Sequence, residues 1–252
     1  MLREDSQPIV DNQEDAVKRA VVALVMILWC FLAPNALAQE MATTPASALP
    51  PWCVLAIRPA MGGGAGSMTT EWDVYDGTLN FEEAVEITGV SHTALIPEAF
   101  FMPTAGRGFT ISASLPFGGG NGTATSDNIF RDYDFAYRFV FLNLGLGYQF
   151  YFGAEKRANL ALMSHLGFGR TQFTVDFPGD TATSKALGGG DFDISVGSWY
   201  RFRGGFTLGG SLDYWVITFS GDAGDEGPIA TTVSNGGMGG ARLNALIGYS
   251  FE

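Results

Sequence analysis

The segment Ala241–Glu252, ARLNALIGYSFE, decides the fold because its residues alternate in character along the chain. One side carries apolar residues: Ala241, Leu243, Ala245, Ile247, Tyr249 and Phe251. The other side carries Arg242, Asn244, Gly248 and Ser250. A period of two is that of a β-strand, and aromatic residues at the chain terminus are typical of the closing strand of a transmembrane β-barrel. We therefore expect the apolar side to face lipid and the polar side to face the lumen.

The N-terminus has the pattern of an export signal. Lys18 and Arg19 precede an apolar run from Ala20 to Ala33, and Ala36-Leu37-Ala38 supplies the small residues that signal peptidase reads. The run is short for a membrane-spanning helix. Residues 1–38 are thus predicted to be a signal peptide, with an uncleaved anchor as the alternative. Residues 39–51, rich in Thr, Ala and Pro, are predicted to be a flexible periplasmic leader to a barrel domain over residues 52–252.

Charge and cysteine content exclude several classes of function. The chain has 14 basic and 26 acidic residues, a formal net charge of −12. Nucleic acid is not expected as a partner, because a phosphate backbone is bound by clustered Lys and Arg. Only Cys53 follows the predicted cleavage site, so no intramolecular disulfide is expected. The sequence contains no His/Cys metal-ligand cluster and no phosphate-binding glycine loop, so neither a metal nor a cofactor is predicted.

Alternating segments recur through the domain and predict an all-β, closed antiparallel transmembrane β-barrel. Eight strands are expected, or ten if Thr70–Val90 adds a hairpin within the bilayer. The eight are 52–61, 93–102, 107–117, 135–152, 160–177, 192–202, 206–219 and 241–252. Pro97 is expected at a bulge or rim. A soluble β-protein, with the apolar face as its core, is the alternative.

The connections between these strands differ in length. Long segments, predicted to be outer loops, cover 62–92, 118–134, 178–191 and 220–240. Short turns follow the second, fourth and sixth strands. Because barrels of this class keep short turns in the periplasm, both chain ends are expected there.

With Leu246-Ile247-Gly248-Tyr249-Ser250-Phe251 closing the chain, the sequence resembles the small outer-membrane β-barrel proteins of Gram-negative bacteria. This resemblance implies a location in the bacterial outer membrane, among outer-membrane lipid and lipopolysaccharide. It also implies that the barrel-assembly machinery recognises the terminal aromatics, Tyr249 and Phe251. The family's terminal aromatic sits one residue early here, because Glu252 follows Phe251.

Polar residues at inward positions form a candidate lumen network: Arg58, Glu98, His165, Asp213 and Arg242. Arg58 and Glu98 lie on neighbouring strands, as do Asp213 and Arg242. An eight-stranded barrel is just wide enough for side chains to fill, and an unpaired buried ion is costly. The network is therefore interpreted as a compensating plug, with a narrow polar path as the alternative.

An enzyme needs a nucleophile and a base on one surface. Ser164 and His165 are adjacent in sequence, and adjacent strand residues point to opposite faces. His92 is expected at the end of a long loop without a partner. No catalytic residue is predicted, although the resemblance includes a few barrels that modify lipids.

The first long segment is acidic, with Glu71, Asp73, Asp76, Glu82, Glu83 and Glu86 and no Lys or Arg. Such a run is a solvated face, or a weak site for Ca²⁺ or for divalent ions that bridge to lipopolysaccharide phosphates. We expect a structural or surface-interaction role through these outer segments. A narrow channel for small polar or apolar molecules is the alternative, and a lipid-modifying enzyme comes third. The sequence identifies no extracellular ligand.

Overall fold

A computed structural model describes residues 52–74, 79–103, 108–126, 132–153, 155–177, 180–226 and 229–251. The predicted signal peptide and leader lie outside these residues and stay predictions. The described residues contain no helix long and apolar enough to cross a membrane.

The described chain is almost entirely extended. Its strands are β1 (Cys53–Val74), β2 (Leu79–Phe101), β3 (Phe109–Ser114), β4 (Phe117–Ser126), β5 (Asp132–Phe152), β6 (Ala158–Phe177), β7 (Asp180–Thr183), β8 (Leu187–Arg201), β9 (Phe206–Glu226) and β10 (Ile229–Phe251). β3 and β4 form one wall segment that is interrupted at Leu115 and Pro116, because β3 and β4 both lie between β2 and β5. β7 and β8 likewise both pair with β6. In the described residues the barrel therefore has eight wall segments, as predicted.

Hydrogen bonds close these segments into an antiparallel ring, in which β1 pairs with both β2 and β10. The register can be followed once around the ring from Leu55 through Ala99, Ala113, Leu144, Leu166, Phe192, Val216 and Gly239 to Ala65. The path returns to β1 ten residues beyond its start, and this offset is the shear, or stagger, of the barrel. For eight strands this stagger corresponds to a tilt of about 43° and a radius of about 8 Å. Such a lumen holds side chains and little else.

A belt of outward apolar side chains surrounds one half of the barrel. On β5 it includes Leu142, Leu144 and Leu146, and on β6 it includes Leu166 and Phe168, all exposed. The belt takes about ten residues of each strand, which corresponds to a height of about 24 Å. We call it the lipid belt, because its height matches the apolar band of outer-membrane barrels.

The first and last described residues lie together at the end of the barrel nearer the lipid belt, where the Trp52 amide donates to the Phe251 carbonyl at 3.0 Å. We call it the terminal end. The turn Arg203-Gly204-Gly205 lies there, with positive φ at both glycines (87° and 89°). Glycine is the residue that adopts this conformation without strain. In barrels with an even number of strands this end faces the periplasm.

The predicted long outer loops were largely wrong, because most of their residues continue the strands. The segment 62–92 extends β1 and β2 as one hairpin, and Glu71 pairs directly with Glu82. This hairpin lengthens existing strands and adds none, so the ten-stranded alternative is wrong.

The alternation inverts where the strands leave the lipid belt. On β5, Phe135, Tyr137 and Phe139 are buried inside, whereas Arg138 is exposed outside. Within the belt the pattern is opposite, with Asn143 inside and Leu144 outside. The far half of the barrel therefore has an apolar interior and a polar wall, as expected for a part surrounded by water.

Two apolar clusters fill the lumen. The far-end cluster includes Phe135, Tyr137, Phe139, Trp215 and Phe219. The terminal-end cluster includes Val54, Phe100, Met163 and Trp199.

Pro97 occupies neither a bulge nor a rim, contrary to expectation. It pairs in regular register with Ile57, and its carbonyl accepts from the Leu115 amide at 3.0 Å. Pro97 thus lies beside the interruption at Pro116, where two residues without N–H groups meet and the ladder loses its donors.

Candidate functional site

Charged side chains meet in the lumen between the two apolar clusters. The group comprises Arg58, Glu98, His165, Asp193, Asp213 and Arg242, which we call the lumen network. Each is at most 4% exposed. Six different wall segments contribute one residue each, because each strand presents alternate residues to the lumen.

Arg58 joins two of the carboxylates. Its Nε lies 2.7 Å from Glu98 Oε2, a close ion pair without the direction of a hydrogen bond. Its Nη1 lies 3.4 Å from Asp213 Oδ2. Arg58 is therefore compensated by carboxylates from strands on both flanks of β1.

Arg242 makes the second bridge. Its Nη2 donates to Asp193 Oδ2 at 3.0 Å, and its Nε donates to Asp213 Oδ2 at 3.3 Å. The same Asp213 oxygen thus faces both guanidinium groups, which connects the two halves of the network.

His165 closes the network between two carboxylates. Nδ1 lies 2.7 Å from Asp193 Oδ1, and Nε2 lies 2.8 Å from Glu98 Oε1. Two carboxylates are satisfied by two N–H donors, so the geometry favours the doubly protonated, cationic ring. Three cations then balance three carboxylates, which removes the large penalty of an uncompensated buried charge.

The structure brings all five lumen residues of the sequence prediction into contact in this network. Asp193 was missed, although its inward position on the strand 192–202 could have identified it. Asp191, also missed, accepts from Asn143 Nδ2 at 2.6 Å.

His92 does not lie at a loop end, contrary to expectation. It is in β2, fully buried, and stacks on Trp215 with ring centroids 4.1 Å apart. Nδ1 is 2.8 Å from the Tyr137 hydroxyl, and Arg242 Nη1 approaches Nε2 at 3.4 Å. His92 thereby joins the lumen network to the far-end cluster. No sequence signal identifies the position of His92, because the pattern of the strand extension that places it predicts a loop.

A serine does reach His165, but not the neighbouring Ser164, which is exposed. Ser112 Oγ lies 2.9 Å from Nε2, opposite the Asp193 contact. This order of groups is that of a hydrolytic triad. However, Glu98 Oε1 also contacts His165 Nε2, so the serine competes for this nitrogen. Ser112 and His165 are each only 1% exposed, so the pair is closed to solvent.

The predicted acidic site is divided between faces. Glu71, Glu82 and Glu86 are exposed, whereas Glu83 is buried and accepts a hydrogen bond from Ser126 Oγ. Glu83 therefore does not belong to an exposed cluster, because adjacent strand residues point to opposite faces. Asp76 and the side chain of Asp73 lie outside the described residues. Among the described residues, no group of three or more His, Cys, Asp or Glu is arranged to hold a metal ion.

The closing aromatics lie at the terminal end. Tyr249 and Phe251 are both exposed, with ring centroids 5.0 Å apart in an edge-to-face arrangement. Trp52 lies 6.4 Å from Phe251. Together they form part of an aromatic girdle at the edge of the lipid belt.

No protein-family model matches this sequence, and no curated protein matches it. Similar solved structures include neisserial surface protein A, at 12% identity and a TM-score of 0.38, with 79% of this chain and 97% of that chain covered. The outer membrane protein OprG from Pseudomonas aeruginosa is 12% identical, with a TM-score of 0.47 and coverage of 81% and 98%. The outer membrane protease OmpT from Escherichia coli is 8% identical, with a TM-score of 0.39 and coverage of 83% and 100%.

The closed register and the lipid belt establish the architecture of this chain independently of those identities. It is a small transmembrane β-barrel of the bacterial outer-membrane type.

Proposed function

We propose that this protein is a non-conducting outer-membrane barrel with a structural or surface-interaction role. The observation that carries the proposal is the filling of the lumen at three successive levels. The terminal-end cluster, the lumen network and the far-end cluster follow one another along the barrel axis.

The lumen network, the middle of the three levels, is the most costly to displace when a solute path opens. Moving Arg242 out of the lumen would leave Asp193 and Asp213 less compensated, and truncating one partner of a buried ion pair costs about 3–5 kcal/mol. A solute path would also require Trp215 and Phe100 to move, and both are buried. These features support a plug over a path.

The interaction surface would be the polar wall beyond the lipid belt. Its strands are long enough to hold this wall well clear of the membrane, and Glu71 and Glu82 lie exposed on it as a directly paired acidic couple. A partner recognised there would be cationic, or would bind through divalent ions.

Planar-bilayer recordings of the refolded full chain test the plug. We expect no unit conductance from the wild-type protein. The variant Arg242→Ala with Trp215→Ala removes one side chain from each of two levels and is expected to give conductance events. Its matched control, Leu144→Ala with Leu166→Ala, changes only lipid-facing residues and should stay silent. Reproducible unit conductance of the wild type would establish the alternative, a narrow channel.

We also propose that the protein is not an enzyme, in spite of the order Ser112–His165–Asp193. The buried location of Ser112 and the competing Glu98 contact support this proposal. Lipid A from cells with and without the protein should have identical mass spectra. A mass change that Ser112→Ala abolishes would establish a lipid-modifying activity instead.

A further inference from the structure

Two exposed arginines lie just beyond the lipid belt on neighbouring strands. Arg138 is on β5 and Arg170 is on β6, and both are exposed. In the register Arg138 pairs with Gln172, and Val140 pairs with Arg170. The two arginines are therefore diagonal neighbours on one face, a relation that places Cα atoms about 7–8 Å apart and long side chains within reach of each other.

Their position along the barrel is set by the apolar residues next to them. Val140 and Phe168 are the outward residues two positions nearer the belt, and they are 46% and 69% exposed. The guanidinium groups consequently lie at the level where hydrocarbon gives way to lipid headgroups.

Neither guanidinium has an ion pair or hydrogen bond with the described part of the chain. Their direct strand neighbours on the outer face are Gly119, Gln172, Val140 and Gly188, none of them acidic. An added Cβ at Gly188 would meet no atom within 4 Å, so the surface beside Arg170 is open. In a chain with a net charge of −12, two unpaired cations side by side form a local positive patch, which attracts an anionic group.

We propose that Arg138 and Arg170 bind a phosphate group of the glycolipid in the outer leaflet, that is, the lipid A part of lipopolysaccharide. Guanidinium groups bind phosphate through paired hydrogen bonds, and the exposed Phe168 ring beneath them would contact the acyl chains. This inference depends on the placement of the barrel in the membrane and does not depend on whether the lumen conducts.

Binding of lipid A to the refolded full chain in phosphatidylcholine nanodiscs tests the site. The probes are bisphosphorylated lipid A, the same lipid after enzymatic removal of its phosphates, and phosphatidylglycerol. Arg138→Gln with Arg170→Gln should weaken binding of bisphosphorylated lipid A about 25-fold, because each surface cation contributes about fivefold in affinity. Higher ionic strength should weaken wild-type binding and affect the variant less.

The matched control is Lys156→Gln with Arg203→Gln, which removes the same charge at the terminal end and should leave binding unchanged. Equal weakening by the control would overturn the site, as would equal affinity for dephosphorylated lipid A. Equally tight binding of phosphatidylglycerol, lost in the same variant, would overturn the choice of glycolipid. Wild-type conductance in the bilayer recordings would overturn the plug and leave this site standing.

Discussion

At the residue scale, a missing side chain is what lets the lumen network form. Gly145 lies opposite His165 in the register and faces the lumen between His165 and Ser112. A Cβ at this position would come closer to the His165 ring and to Ser112 Oγ than real Cβ atoms approach any neighbour. The imidazolium therefore occupies the space that a side chain at position 145 would need.

We predict that Gly145→Ala destabilises the barrel by about 1–3 kcal/mol, because overpacking must displace His165 from its carboxylates. Gly188→Ala is the control, since an added Cβ meets open space there, and it should change stability by less than about 0.5 kcal/mol. Denaturant unfolding in lipid vesicles measures both. Equal effects of the two substitutions would contradict the packing argument.

A second prediction concerns the Arg58–Glu98 pair. Glu98→Ala leaves Arg58 with the longer contact to Asp213 as its remaining ion pair among the described residues and should cost about 3–5 kcal/mol of unfolding free energy. Arg58→Met combined with Glu98→Met removes both charges and should recover much of that loss. A double-mutant cycle measures the coupling. Strictly additive losses would show that the two residues do not stabilise each other.

At the element scale, the alternation of a strand predicts structure only where its surroundings are known. Leu142, Leu144 and Leu146 were recognised as a strand because lipid requires apolar residues outside. Farther along β2, Val85, Ile87 and Val90 turn the apolar side inward, and these residues fall within the predicted loop 62–92 because a search for outward apolar residues stops before them. Strand number, ring closure and inward charges were therefore predictable, whereas the strand extensions, the place of His92 and the contact partners required three-dimensional register.

The closing strand carries the third prediction. Phe251→Asp puts a charge into the aromatic girdle beside Tyr249 and should sharply reduce heat-modifiable protein in the outer membrane. Ser250→Ala removes one hydrogen bond, because Ser250 Oγ lies 2.6 Å from Thr207 Oγ1, and should cost only about 1 kcal/mol. Equal amounts of both variants in the membrane would argue against a lipid-facing β10.

In the far half of the barrel, Lys185 connects the segment between β7 and β8 to β9. The Lys185 amide donates to the Ala223 carbonyl at 2.8 Å, and Lys185 Nζ lies 2.7 Å from Asp222 Oδ2. The hydrogen bond from Lys185 holds the pKa of Asp222 below its usual 3.8. A lowered pKa means that the pair stabilises the fold above pH 3.8 and that this contribution disappears as the pH falls through the folded-state value.

We accordingly expect Lys185→Met to raise the pKa of Asp222 towards 3.8. A carboxyl-carbon NMR titration measures this shift. Because both side chains are exposed, the substitution should barely change stability at neutral pH. An unchanged pKa would show that the Lys185 contact does not persist in solution.

At the scale of the whole molecule, the two halves of the barrel have outer surfaces of opposite polarity, although the same strands build both. In the half that bears the lipid belt, apolar residues cover the outside, and the lumen holds the lumen network and the terminal-end cluster. In the far half, aromatic residues fill the lumen and polar residues such as Arg138 and Glu82 cover the outside. The inversion on β5 occurs between Arg138 and Val140, so this level marks one membrane surface. A barrel built in this way has only one stable depth in a bilayer.

The last prediction concerns the orientation of this asymmetric barrel in the membrane. Single cysteines replace Glu82 in the far hairpin or Glu155 in the turn between β5 and β6, each in a Cys53→Ser background. Both side chains are exposed, so a difference in labelling reports the side of the membrane. An impermeant maleimide on intact cells should label position 82, and position 155 should react only after the outer membrane is opened. Labelling of position 155 alone on intact cells would reverse the orientation and would move the phosphate site of Arg138 and Arg170 to the inner leaflet, where it would meet phospholipid.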